Sequence, residues 1–146
     1  CAMNADSGGT TYALDVTRVI SLPAERVYRA FTDQLDQWFG AVGSLVITPE
    51  PGGLYHFVTE MNGERHPHYG RFIELSPGQR VSMTWMTGDP GTLGAETVVT
   101  IDMAEDSKGT RVRIRQSGFY DEASRDGHED AWPMVLDHLE TTLGGK

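Results

Sequence analysis

Apolar residues recur at every second position where the chain begins to read as structure. In YALDVTRVI, Tyr12, Leu14, Val16, Arg18 and Ile20 fall on one side, which predicts a strand. The period changes at SLPAERVYRAFTD, where Ser21 or Leu22 precedes Pro23, a residue whose missing N–H costs nothing in a first helical turn. Ala24, Val27, Tyr28 and Phe31 then form one face of a short helix. Asp33 is placed to cap a second one, QLDQWF, with Leu35, Trp38 and Phe39 as its stripe and Gly40 as its end.

Beyond Gly40 the pattern is β. SLVITPE and LYHFVTE flank the turn-forming PEPGG, and NGE leads into HYGRFIEL. RVSMTWMT, the glycine-rich GDPGTLGA, ETVVTIDM and TRVRIRQS follow, with short turn clusters between them. Strands of this length joined by such turns predict an antiparallel meander. Arg111, Arg113 and Arg115 alternate with Val112, Ile114 and Gln116, so one face is wet and the other covered. The cover is a closing helix on which Trp132, Val135, Leu136, Leu139 and Leu143 share one face at helical spacing. The expected fold is therefore α+β: a curved antiparallel sheet of six to seven strands around a long C-terminal helix, with two short helices after the first strand. Pro133 inside that helix predicts a bend or a broken hydrogen bond between Glu129 and Pro133, unless the helix starts only at Asp130.

Composition changes this picture little. The 146 residues suggest one domain over 11–146, and the small polar residues 1–10 suggest a disordered tail. Met3 reads as the natural start and Cys1-Ala2 as a cloning remnant; the rival reading is a mature lipoprotein cysteine before a short tether. Cys1 is the only cysteine, so the chain needs no oxidising compartment, and the cytoplasm is the expected location. The formal charge of -9, from 21 acids against 12 bases, repels phosphate backbones and anionic lipid, so neither nucleic acid nor membrane is an expected partner.

Several stretches, in order, resemble one known group. ISLPAERVYRAFTD with QWFG, PEPGGLYHF, GRFIEL, Thr84-Trp85, and QSGF followed by GHEDAW look like the activator of Hsp90 ATPase homologue-like (AHSA-type) group. That group belongs to the SRPBCC, or START-like, superfamily, and the likeness covers Tyr12 to Leu143. The resemblance implies a helix-grip fold with an apolar cavity between sheet and final helix, and it implies no single reaction. Pro133 departs from the pattern, which has a helix former there. The eukaryotic co-chaperone that gives the group its name carries a separate chaperone-binding domain, which these residues do not contain, so no chaperone partner is expected.

The candidate chemistry is sparse. His66 and His68 of HPH share one strand face, and with His56 on a neighbouring strand they could form a three-histidine metal site. Strand histidines of this kind are more often exposed polar positions, and no metal and no cofactor is expected. His128 lies four residues before Trp132 on the same helical face, and Gln116 alternates with Ile114 toward the interior. The two could orient a ligand, or each could satisfy buried backbone groups. Asp121, Glu122, Asp126, Glu129 and Asp130 suit a helix N-terminus without any chemistry. No nucleophile motif is present, so no catalytic residue is assigned.

The expected function is binding of a small hydrophobic or amphipathic molecule. Its expected lining is Trp38, Phe39, Tyr55, Phe57, Met83, Trp85, Val99, Ile101, Ile114, Gln116, His128, Trp132 and Leu136. An enzyme using the same cavity with His128 as acid/base is the alternative, and a chaperone-style interaction module is a third; an exposed apolar patch at Trp38-Phe39 would favour the last. A homodimer is possible on this reading.

Overall fold

The computed structural model describes residues 12–41, 43–61, 63–87, 92 and 95–143. The predicted tail, Cys1-Ala2 and most of the glycine-rich GDPGTLGA stretch lie outside the described residues. In chain order the elements are β1 (Tyr12–Ile20), α1 (Ala24–Ala30), a 3-10 turn (Leu35–Gln37), β2 (Val46–Ile47) and β3 (Leu54–Met61). Then come β4 (Glu64–Ser76), β5 (Arg80–Thr87), β6 (Thr97–Asp106), β7 (Gly109–Phe119) and α2 (Glu122–Leu143).

One seven-stranded sheet holds them together in the order β1-β7-β6-β5-β4-β3-β2, with every neighbouring pair antiparallel. The alternation read from the sequence sets its two faces. Leu14 lies opposite Gln116, Gln116 opposite Val99, and Val99 opposite Met83, so one buried row crosses four strands. The other face carries charge: Arg113 reaches Asp15 at 2.6 Å, and Arg80 and Arg115 share Asp102 at 2.5 and 2.6 Å. The Arg113 guanidinium holds the Asp15 carboxyl below its ordinary range.

The closing helix lies on the buried face. The Asp121 carboxylate caps it by accepting from the Ser124 N–H at 2.8 Å. Trp132, Leu136, Leu139 and Leu143 are buried, as the stripe requires. The same helix guards the free edge of β1. Asp137 accepts from Arg18 at 3.3 Å, Glu140 accepts from the Ser21 N–H at 2.6 Å, and Arg125 donates to the Ala13 carbonyl at 3.2 Å. Pro133 lies inside this single 22-residue element, which starts well before Asp130. Its ring denies the Glu129 carbonyl an i+4 donor, and Glu129 lies on the exposed side of the helix. No helix among the described residues is long and apolar enough to cross a membrane.

Three expectations need correction. Asp33 caps nothing: the second helix shrinks to one 3-10 turn preceded by Gln34, and Asp33 instead lies 3.9 Å from Arg29 one turn back. The Gln34 N–H still bonds the Arg29 carbonyl, so the chain is turning there and not starting afresh. The SLVITPE strand contracts to Val46–Ile47. HYGRFIEL, by contrast, extends back to Glu64 and takes in the histidine pair. Pro67 is tolerated because β5 ends opposite His68, leaving Pro67 on a stretch paired only with β3.

Candidate functional site

Rings converge where β3, β4 and β5 pass beneath α2. Phe57 of β3 pairs in register with His68 of β4, and His68 pairs with Thr87 of β5, which sets His68 on the inner face beside Phe57. The two rings are stacked at 5.0 Å with 11° between their planes. Trp85 meets His68 edge-on at 5.3 Å, and Phe39 lies 5.8 Å away. From the helix, Trp132 reaches Trp85 at 5.7 Å and Phe39 at 6.3 Å. The inclined geometries are those that ring quadrupoles favour.

Local chain geometry puts Phe39 there. Beyond the short β2, the Ala41 N–H donates to the Val58 carbonyl at 2.7 Å, and the Val58 N–H donates to Ser44 Oγ at 3.1 Å, so the segment after the 3-10 turn is fastened to β3. Gly40 permits the approach: a Cβ at this position would come within 2.7 Å of Phe57 Cδ2. Trp38 fixes the other end, its Nε1–H donating to the Ala30 carbonyl at 2.7 Å and its ring meeting Phe31 at 5.2 Å. Trp38 is only 4% exposed and Phe39 is half-buried, so no exposed apolar patch forms at this pair.

Below the rings runs a buried polar chain. Trp132 Nε1–H donates to Gln116 Oε1 at 2.9 Å, Gln116 Nε2–H donates to Thr97 Oγ1 at 2.9 Å, and the Thr97 hydroxyl donates to the Trp85 carbonyl at 2.6 Å. Helix and three strands are thereby tied through groups that burial would otherwise leave unpaired. Gln116 is a structural pin between two tryptophans. Tyr55 is anchored likewise, donating to the Thr84 carbonyl at 2.6 Å, and burial raises its pKa far above the ordinary phenol range.

Twelve of the thirteen residues expected to line a cavity fall into two groups. Met83, Val99, Ile101, Ile114 and Leu136 are fully buried packing, with Tyr55, Gln116 and Trp38 pinned by hydrogen bonds. Phe39, Phe57, Trp85 and Trp132 form the ring cluster. His128 stands apart from Gln116: its Nδ1–H donates to the Ser124 carbonyl at 2.9 Å, and its ring packs on Phe119 at 4.9 Å. Burial lowers its pKa.

His68 is the member that the sequence reading placed elsewhere. It sits in the cluster, and its Nδ1–H donates to the His66 carbonyl at 3.0 Å, because a carbonyl only accepts. Burial among the rings pushes its pKa down to about 4, with His128 near enough to depress it further, so the imidazole is neutral at pH 7. His56 pairs with Tyr69 on the opposite face of the sheet, so the three histidines weighed as metal ligands do not converge. On that outer face Val46, Leu54, His56, Tyr69 and Met86 border a groove of about 570 Å³, with Val46 70% and Leu54 68% exposed.

Comparisons with known proteins bear on this geometry. The family model described as "Activator of Hsp90 ATPase homolog 1-like protein" matches residues 21–144. Among solved structures, a Chromobacterium violaceum protein is 30% identical, covering 89% of this chain and 96% of its own with a TM-score of 0.71. A Mesorhizobium loti protein is 25% identical, covering 92% and 98%, with a TM-score of 0.73. A Rhodobacter sphaeroides protein at 23% identity, covering 92% and 93% with a TM-score of 0.70, shares the fold. No curated protein matches the chain.

Proposed function

We propose, for a chain that belongs to the activator of Hsp90 ATPase homolog 1-like family, that it binds a small apolar or amphipathic molecule against the ring cluster beneath its C-terminal helix. Proteins of this fold commonly bind ligands. The observation that carries the reading is a difference in burial within the cluster. Phe57, Trp85 and Trp132 are buried, whereas Phe39 and His68, which touch Phe57 and Trp85, stay half-buried. Phe39 and His68 thus form the partly exposed margin of the cluster, where a flat apolar molecule can stack. Rings with a single neutral polar group also match the composition of small-molecule sites.

The partner-protein reading has less support, since Trp38 is buried and Phe39 is only partly exposed, too little for an apolar docking patch at this pair. Among the described residues no carboxylate or hydroxyl bonds His128, whose Nδ1–H goes to its own helix, which leaves the acid/base reading without support.

The test uses N-phenyl-1-naphthylamine, a neutral fluorophore that brightens in apolar surroundings. All three tryptophans lie in or beside the cluster, so binding there quenches indole emission and sensitises the probe. Saturable energy transfer at one probe per chain is the expected result. Absence of saturable transfer overturns the proposal.

A further inference from the structure

We infer that His68 is the polar contact of this site and selects neutral ring-bearing ligands that present a hydrogen-bond donor, a phenol or an aromatic amine, to its Nε2 atom. The inference rests on the binding reading above and names the ligand class.

Three observations lead to it. The tautomer is fixed by the backbone: Nδ1 faces the His66 carbonyl at 3.0 Å and must carry the proton, so Nε2 holds a lone pair. That acceptor meets no donor among the described residues, while Phe57, Trp85 and Phe39 occupy the ring's surroundings. An acceptor left among rings loses its hydration without replacement, unless a water or a ligand supplies the donor. The residue is also only partly buried, so some of its surface stays open to solvent.

Charge narrows the class. The depressed pKa keeps the imidazole neutral, so it offers no counter-charge to an anion. No lysine or arginine belongs to the cluster, and Arg80, Arg113 and Arg115 pair with acids on the opposite face. A carboxylate or phosphate would therefore enter a site of rings and one lone pair, in a chain of net charge -9. A hydroxyl or N–H on a flat ring satisfies both the acceptor and the stacking surfaces.

Calorimetric titration with 2-naphthol, 2-methoxynaphthalene and 2-naphthoate at pH 7.5 tests this. The first two share rings and oxygen, but only the naphthol donates. Without an acceptor the more apolar ether is the better ligand. With His68 acting as proposed, the naphthol binds more tightly than the ether by roughly three- to tenfold, the scale of one neutral hydrogen bond. The naphthoate binds more weakly than the naphthol. His68→Phe keeps a stacked ring and removes the acceptor; checked for folding by its melting temperature, it should reverse the order so that the ether leads. Equal affinities in the wild type, tighter binding of the naphthoate, or a naphthol preference that survives in His68→Phe each overturn the inference while leaving the binding site intact. Failure of all three ligands to bind would instead overturn the site itself.

Discussion

Trp132 of the C-terminal helix donates its indole N–H to the side-chain carbonyl of Gln116 at 2.9 Å, and both residues are buried. Because the Gln116 amide passes the contact on to Thr97, one uncharged side chain carries the buried hydrogen-bonded link between helix and sheet. Gln116→Leu keeps the volume but strips the indole of its acceptor and Thr97 of its donor. We expect a loss of about 1–3 kcal/mol in urea unfolding. Adding Trp132→Phe to Gln116→Leu should cost less than the sum of the two single changes, because the second removes a donor already left unpaired. Additive losses would mean that the hydrogen bond contributes nothing.

Two glycines should respond in opposite directions. Gly70 lies buried in β4, where a Cβ would run into the backbone carbonyl of Thr84, the group that accepts from Tyr55. Gly70→Ala should destabilise by roughly 1–3 kcal/mol, as overpacking does. Gly127 lies exposed in the first half of α2 with nothing near its Cβ position. Gly127→Ala should stabilise by about 0.5–1 kcal/mol through helix propensity. Thermal unfolding of the two variants side by side reads the contrast, and a shared sign would contradict it.

Acid should weaken the fold through His68. Its pKa falls from 6.5 to about 4 on folding, so above pH 6.5 it is neutral in both states and gives no pH dependence. Between pH 6.5 and 4 the unfolded chain takes up a proton that the native one does not, so stability falls as pH falls through that window. The full effect is roughly 3 kcal/mol, and His128, shifted in the same direction by burial, adds to it. Urea midpoints followed from pH 7.5 to 4.5 should drop less steeply in His68→Phe than in the wild type. Parallel profiles would place the titration elsewhere.

Zinc should leave the melting temperature where it is, since His56 faces away from His66 and His68 across the sheet. A rise of several degrees on adding zinc, reversed by a chelator, would contradict that placement.

Much of this molecule can be read from its periodicities. Alternation in TRVRIRQS separates the arginine face from Val112, Ile114 and Gln116, and the spacing of Trp132, Leu136, Leu139 and Leu143 gives the buried side of α2. What resists reading is anything that hangs on register or on a contact distant in sequence. HPH puts His66 and His68 on one face, but only the pairing of Phe57 with His68 decides that this face is the inner one. A histidine in a polar stretch reads as solvated, and its membership of a ring cluster depends on Phe39 and Trp85, far away along the chain. Gln116 and Trp132 both read as inward-facing, but the hydrogen bond between them does not, since nothing local ties a strand amide to a helix indole. Asp33 failed as a cap for a similar reason: capping depends on the path of the backbone, and here the chain turns on through Gln34.

The central claim is that ligands enter the ring cluster under the C-terminal helix and not the apolar groove on the outer face. Heteronuclear NMR of the isotope-labelled chain, titrated with 2-naphthol, tests it most directly. The account predicts that the indole signals of Trp85 and Trp132 and the imidazole signals of His68 shift together and saturate, while Val46, Leu54 and Tyr69 stay in place. Shifts confined to Val46, Leu54 and Tyr69, with the tryptophans unmoved, would contradict it.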